Sequence, residues 1–127
     1  MTLNIILATS TAVHVGADFR LVDANTGNIV TELSPKVLVL RENGWEAVLT
    51  YCGVGRWQDQ DTSVWLRQWL QHEPGTSPVF DETTMVLQRE GDKWLQDIRR
   101  KGRYTGPHTF VLAGLVGGRS KLAVISN

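Results

Sequence analysis

The alternation of apolar and polar positions divides the chain into a strand-rich beginning, a helical middle and a strand-rich end. Residues 4–9 and 11–18 are short runs of β-branched and apolar residues, and Ser10-Thr11 between them predicts a hairpin turn. Asp23-Ala24-Asn25-Thr26-Gly27-Asn28 is dense in turn formers and separates residues 20–22 from 29–32, a second and smaller hairpin. Residues 37–40 and 47–52 form another strand pair, joined by the polar turn Arg41-Glu42-Asn43-Gly44.

After Gly53-Val54-Gly55 the period changes. Val64, Trp65, Leu66, Trp69 and Leu70 recur at helical spacing behind the candidate N-caps Asp61 and Thr62, predicting a helix that ends near His72. Pro74-Gly75-Thr76-Ser77-Pro78 is a linker. Asp81 is placed to cap a second helix with Val86, Leu87, Trp94, Leu95 and Ile98 on one face and Gly102 as its stop. Gly91 within that helix costs ~1 kcal/mol relative to alanine, which marks close packing or a kink. Residues 108–115 and 120–126 are again strands, around the hairpin signal Gly117-Gly118. Strands, two helices, then strands suit one domain, residues 1–127, in which helices pack on a sheet.

Composition narrows the class. With 127 residues, 42% hydrophobic and 20% charged, the chain can bury a sizeable core as a single globular unit. Its 13 basic and 13 acidic side chains cancel, so no bulk charge points to nucleic acid or an anionic membrane as partner. The single cysteine, Cys52, cannot form an intrachain disulfide, and no run approaches the ~20 apolar residues that cross a bilayer. A cytoplasmic protein, mature except for Met1, is the expectation.

The candidate chemistry starts at Thr2. Once Met1 is removed, Thr2 carries a hydroxyl nucleophile and a free α-amine, whose ordinary pKa of ~7.7 to 8.0 suits a general base near neutrality. His14, His72 and His108 lack metal-ligand spacing with one another or with Cys52, so neither a metal nor another cofactor is expected. Cys52 sits in an apolar strand and reads as an inert buried thiol. Trp65, Trp69 and Trp94 fall on apolar helix faces, leaving Trp57 as the tryptophan placed to line a site.

Thr2 at the mature start, Gly16-Ala17-Asp18-Phe19-Arg20 closing the second strand, Pro35-Lys36-Val37 opening a later one and Tyr51-Cys52-Gly53-Val54-Gly55 behind the next form an ordered set. In that order the chain resembles the N-terminal nucleophile hydrolases, nearest to proteasome β-subunits and the bacterial proteasome-like peptidase. The resemblance spans the whole chain, and corresponds to the first two-thirds of a family member, whose closing Gly-Ser-Gly motif, helices and strands follow the position of Asn127. It implies an α/β layered sandwich, antiparallel sheets with helices packed on the outside. It also implies amide-bond hydrolysis of peptides or small amides, with catalytic roles for Thr2 (nucleophile), Lys36 (a cation beside it), Asp18 (holding Lys36) and Gly53 (oxyanion N–H), and Arg20 in support. Homo-oligomeric assembly is implied as well. The alternative is a non-catalytic, proteasome-like assembly or binding module, in which Met1 is retained or the Thr2 amine lies far from Lys36.

Overall fold

In the computed structural model, which describes residues 4–24, 26–58, 60–72, 75–102 and 104–126, short local pairings come first. Strands β1 (Asn4–Ala8) and β2 (Val13–Ala17) form an antiparallel hairpin with Asn4 opposite Ala17. The Thr9 hydroxyl accepts the Ala12 N–H at 3.0 Å, so a threonine side chain closes the turn. β3 (Leu21–Val22) and β4 (Ile29–Thr31) pair next, their connection held by the Asp23 carboxylate, which accepts from the Thr26 N–H at 2.9 Å and the Thr26 hydroxyl at 3.1 Å.

Strands β5 (Val37–Glu42) and β6 (Trp45–Cys52) run longer than the hydrophobic pattern predicts. Asn43-Gly44 alone makes the turn, with Gly44 at φ +104°, and Arg41 and Glu42 pair opposite Glu46 and Trp45. A ladder that the pattern does not predict, β7 (Arg56–Trp57) with β8 (Gln60–Asp61), leads into α1 (Thr62–Gln71). Helix α2 (Phe80–Lys101) starts one residue before the expected cap, Asp81. Its start is instead braced from the linker: Thr83 Oγ1 accepts the Ser77 N–H at 2.8 Å, and the Ser77 hydroxyl donates to Glu82 at 2.6 Å. Asp81 is left to pair with Lys121, N to O 2.6 Å. Strands β9 (Thr109–Val116) and β10 (Arg119–Ser126) close the chain around Gly117-Gly118.

The main sheet is antiparallel, four strands in the order β10-β9-β6-β5. Alternation along β6 turns Trp45, Ala47, Leu49 and Tyr51 to one face, and the register adds Leu40, Phe110, Leu112 and Ile125 to it. These residues form one core with Leu66 and Trp69 of α1 and Phe80 and Leu87 of α2, so both helices pack on the same face. Gly91 is the close approach between layers: a Cβ there would sit 2.7 Å from Phe110 Cε2. On the opposite face, the β1–β2 hairpin touches β5, β6 and β9.

This arrangement corrects the expected fold class. Strands make up 42% of the described residues and helices 27%, which is a small β-rich domain rather than a layered α/β sandwich. The reason lies in the layers. Against the four-stranded sheet stands only a two-stranded hairpin of five-residue strands, whose outward side chains Ile5 and Leu7 are 61% and 59% exposed, and both helices share one side. No outer helix covers that hairpin among the described residues.

Gly114, on β9 opposite Ala47, tests how tightly the sheet is built: a Cβ there would lie 2.2 Å from the Glu46 carbonyl oxygen and 2.5 Å from Ala47 Cβ. Backbone rather than a flexible side chain would have to move. Gly114→Ala is therefore expected to lower unfolding free energy by about 2–3 kcal/mol, read from urea denaturation midpoints. An unchanged midpoint would contradict the register.

Candidate functional site

Three strand ends meet at one edge of the sheet. β5 begins at Val37, opposite Thr50, so Lys36 lies beside the C-terminal end of β6, where Cys52 gives way to Gly53. Asn4 donates from Nδ2 to the Tyr51 carbonyl at 3.0 Å, and so ties the start of β1 to the same end. Because Asn4 pairs with Ala17, the hairpin delivers Asp18 there too.

Lys36 and Asp18 are brought into contact, Nζ to Oδ1 at 2.7 Å. The Lys36 side chain is 1% exposed and that of Asp18 31%, so the cation is out of water while its partner keeps one side wet. A buried ammonium needs such a partner, since desolvation of an ion costs several kcal/mol. Arg20 is not part of the pair. It binds Glu32 at 3.3 Å on the surface, a contact worth at most ~1 kcal/mol. Thr2 lies outside the described residues.

Gly53 has φ +113°, and a Cβ there would meet the Pro107 carbonyl at 2.6 Å and His108 Nδ1 at 2.8 Å. Glycine is required on both counts. The following residue is held from two sides: the Val54 N–H donates to His108 Nδ1 at 3.0 Å, and the Val54 carbonyl accepts from Thr62 Oγ1 at 2.5 Å. The Val54 N–H is thereby occupied, leaving Gly53 as the N–H that the resemblance nominates. A cleft of about 290 Å³ opens beside the turn, with Arg20, Val22, Asp23, Gly53, Gly55 and Tyr104 among its walls.

Three features of this edge were not singled out from the sequence. His108, discounted as a metal ligand, is 1% exposed and packs edge-on to Phe110 at 4.5 Å. Burial pushes its pKa down to about 3. Burial likewise raises Tyr51, stacked on His108, to about 12. Among the described residues, Asn4 Oδ1, Thr50 Oγ1 and His108 Nε2 are buried with no hydrogen-bond partner. The only signal for His108 was its place at the foot of the last hairpin. Trp57, expected to line a site, is largely buried with Gly102 against its ring and forms part of the wall of a separate cleft with Gln60, Val64 and Lys101, while Cys52 is a half-buried free thiol rather than a fully buried one. His14 is exposed, and among the described residues no group of three or more His, Cys, Asp and Glu side chains gathers to hold a metal. No helix of the described residues is long and apolar enough to cross a membrane.

Comparison with family models, curated proteins and solved structures gives no match.

Two outcomes follow from the burial. Asp18→Asn takes the carboxylate away from a buried cation, whereas Lys36→Met leaves a carboxylate that water still reaches, so the first should cost more, up to about 3 kcal/mol. Denaturation midpoints giving the reverse order would refute the pairing. His108 has a folded pKa of about 3 against an ordinary 6.5. The unfolded chain then binds the extra proton between these values, and stability is full above pH 6.5 and falls as pH drops toward 3. The expected slope is about 1.4 kcal/mol per pH unit from this residue. It should be absent in His108→Asn, and so appear in the difference between wild type and that variant, measured by denaturation at a series of pH values.

Proposed function

We propose that the chain is an amide-bond hydrolase that uses Thr2 as an N-terminal nucleophile after removal of Met1, acting on a peptide or small amide. The observation that carries this reading is the buried Lys36–Asp18 pair at the sheet edge that also holds the left-handed Gly53 turn. The sequence order Thr2, Asp18, Lys36, Gly53, shared with the N-terminal nucleophile hydrolases, supports the activity; the layered fold of that family is no part of the proposal.

In the proposed reaction, Thr2 Oγ attacks the amide carbonyl carbon while its proton passes to the α-amine, directly or through one water. Lys36 supplies a positive charge that favours the alkoxide, and Asp18 keeps that cation in place. The Gly53 N–H stabilises the tetrahedral oxyanion, a type of contact whose removal costs ~2.7–4 kcal/mol of barrier. Collapse breaks the C–N bond, the α-ammonium returns its proton to the leaving amine, and water then hydrolyses the ester on Thr2. The cleft beside Gly53 gives an extended substrate a place to lie along the β3 segment, gripped through backbone groups. No cofactor enters the scheme, and a cytoplasmic, self-associating protein is proposed with it.

One observation favours the second reading, a non-catalytic assembly or binding module. Val39, Leu122 and Val124 stand 55–62% exposed on the sheet face away from the helices.

N-terminal mass analysis separates the readings. The hydrolase reading expects a chain starting at Thr2, modified there by a threonine-directed electrophile, with turnover of a fluorogenic peptide amide lost at least about a thousandfold in Thr2→Ala, as for removal of a nucleophile that acts with its own base. Retained Met1, or unchanged turnover in Thr2→Ala, would leave the assembly module standing.

A further inference from the structure

We propose that His108 is a positioning residue of this site: through the Val54 N–H it fixes the 53–54 peptide, and so the direction in which the Gly53 N–H meets a developing oxyanion. The role rests on the hydrolase reading and extends it to a residue on a different hairpin.

Gly53 cannot hold its own direction. Up to Cys52 the backbone is fixed in the ladder opposite Thr109, but the Gly53 N–H belongs to the 52–53 peptide, whose plane can turn relative to the 53–54 peptide because glycine has access to both signs of φ. The restraint comes from the next peptide. With Cys52 held on one side and the Val54 N–H on His108 Nδ1 at 3.0 Å on the other, the Gly53 dihedrals have little freedom. Thr62 completes the clamp from α1, its hydroxyl on the Val54 carbonyl at 2.5 Å and its N–H on the Gly55 carbonyl at 3.0 Å.

The imidazole is suited to a fixed role. It is 1% exposed and confined by Tyr51 at 6.0 Å, Trp94 at 5.4 Å and Phe110 at 4.5 Å between ring centres. Accepting a backbone N–H requires an unprotonated Nδ1, so the neutral ring carries its proton on Nε2. The two residues are also matched sterically, since the atom nearest to a Cβ on Gly53, after the Pro107 carbonyl oxygen, is His108 Nδ1. Replacing either would disturb the other. His108 does not itself reach the reacting atoms in this scheme; it acts by holding the donor, and misdirection by a fraction of an ångström weakens an oxyanion contact more than it weakens substrate binding.

The test compares wild type, H108N and H108L on a fluorogenic peptide amide whose turnover depends on Thr2. H108N keeps an acceptor oxygen near the Nδ1 position, and H108L fills the space without one. The expected result is a fall in kcat of at least about tenfold in H108L with KM nearly unchanged, and recovery of most of that loss in H108N. Equal kcat in all three, each unfolding cooperatively, would overturn the role, as would an effect confined to KM. Should H108L fail to fold, nitrogen-15 NMR of the wild type decides: an unprotonated Nδ1 coupled to the Val54 N–H is expected, and a protonated Nδ1 overturns the role. A wild type with no Thr2-dependent turnover sinks the hydrolase reading and this role together, whereas turnover indifferent to His108 sinks this role alone.

Discussion

Strand β6 is the constraint on which the molecule depends. Its eight residues pair along their whole length with β9, and six of them pair on the other side with β5. That double register decides which side chains meet the helices, because a slip of one residue would exchange the two faces. Trp45 shows the consequence at one end: its indole N–H donates to the Ser77 carbonyl at 3.1 Å and its ring meets Phe80 edge-on at 5.5 Å, which anchors the start of α2 to the sheet. Two glycines make the closeness possible, Gly114 between β9 and β6 and Gly91 between α2 and Phe110.

The same strand places the candidate site. At its C-terminal end the ladder stops and the backbone turns through Gly53, and antiparallel pairing brings the start of β5, hence Lys36, to that end. Asp18 arrives by a different route, carried by a hairpin whose first residue, Asn4, is hydrogen-bonded to Tyr51 of β6. Two separate clamps then set the edge: a charged one between β2 and β5, and a neutral one in which His108 and Thr62 hold Val54. The bond from Val54 to His108 joins segments 54 residues apart, so it depends on the pairing of β6 with β9.

Local chemistry explains which parts were legible in advance. Ser10-Thr11, Arg41-Glu42-Asn43-Gly44 and Gly117-Gly118 are turn signals written in adjacent residues, and the hairpins they close are present. The longer reach of β5 and β6 follows from Asn43-Gly44 needing no further turn residues, which the polar side chains of Arg41 and Glu42 concealed. β7 and β8 are two residues each, too short to show a period, with Gln58 at φ +52° where a glycine would signal the turn. The layered sandwich failed for another reason. Residue order and spacing carry information about strand sequence, but the number of stacked layers depends on long-range packing, and here a two-stranded hairpin stands where a second sheet was expected. Asp18 and Lys36 were nominated from the resemblance. The burial of Lys36 was not legible, since a lysine after Pro35 has the same sequence signature whether solvated or enclosed. His108 was missed because it was weighed as a ligand and not as an acceptor for a backbone N–H.

The Lys36–Asp18 pair is a poor device for stability alone. Removing an ammonium from water costs several kcal/mol, a 2.7 Å contact with a half-wet carboxylate returns part of it, and an apolar pair of similar volume would hold β2 against β5 at no such cost. The apolar alternative was close to hand, because Val37 and Leu38 follow directly and the neighbouring face already contains Thr50 and Val48. The charge also sits beside a left-handed glycine turn whose next peptide is held from both sides. A fixed cation and a fixed backbone donor at one sheet edge are costly for a fold and useful for stabilising a developing negative charge, and that asymmetry is the physical case for chemistry at this edge.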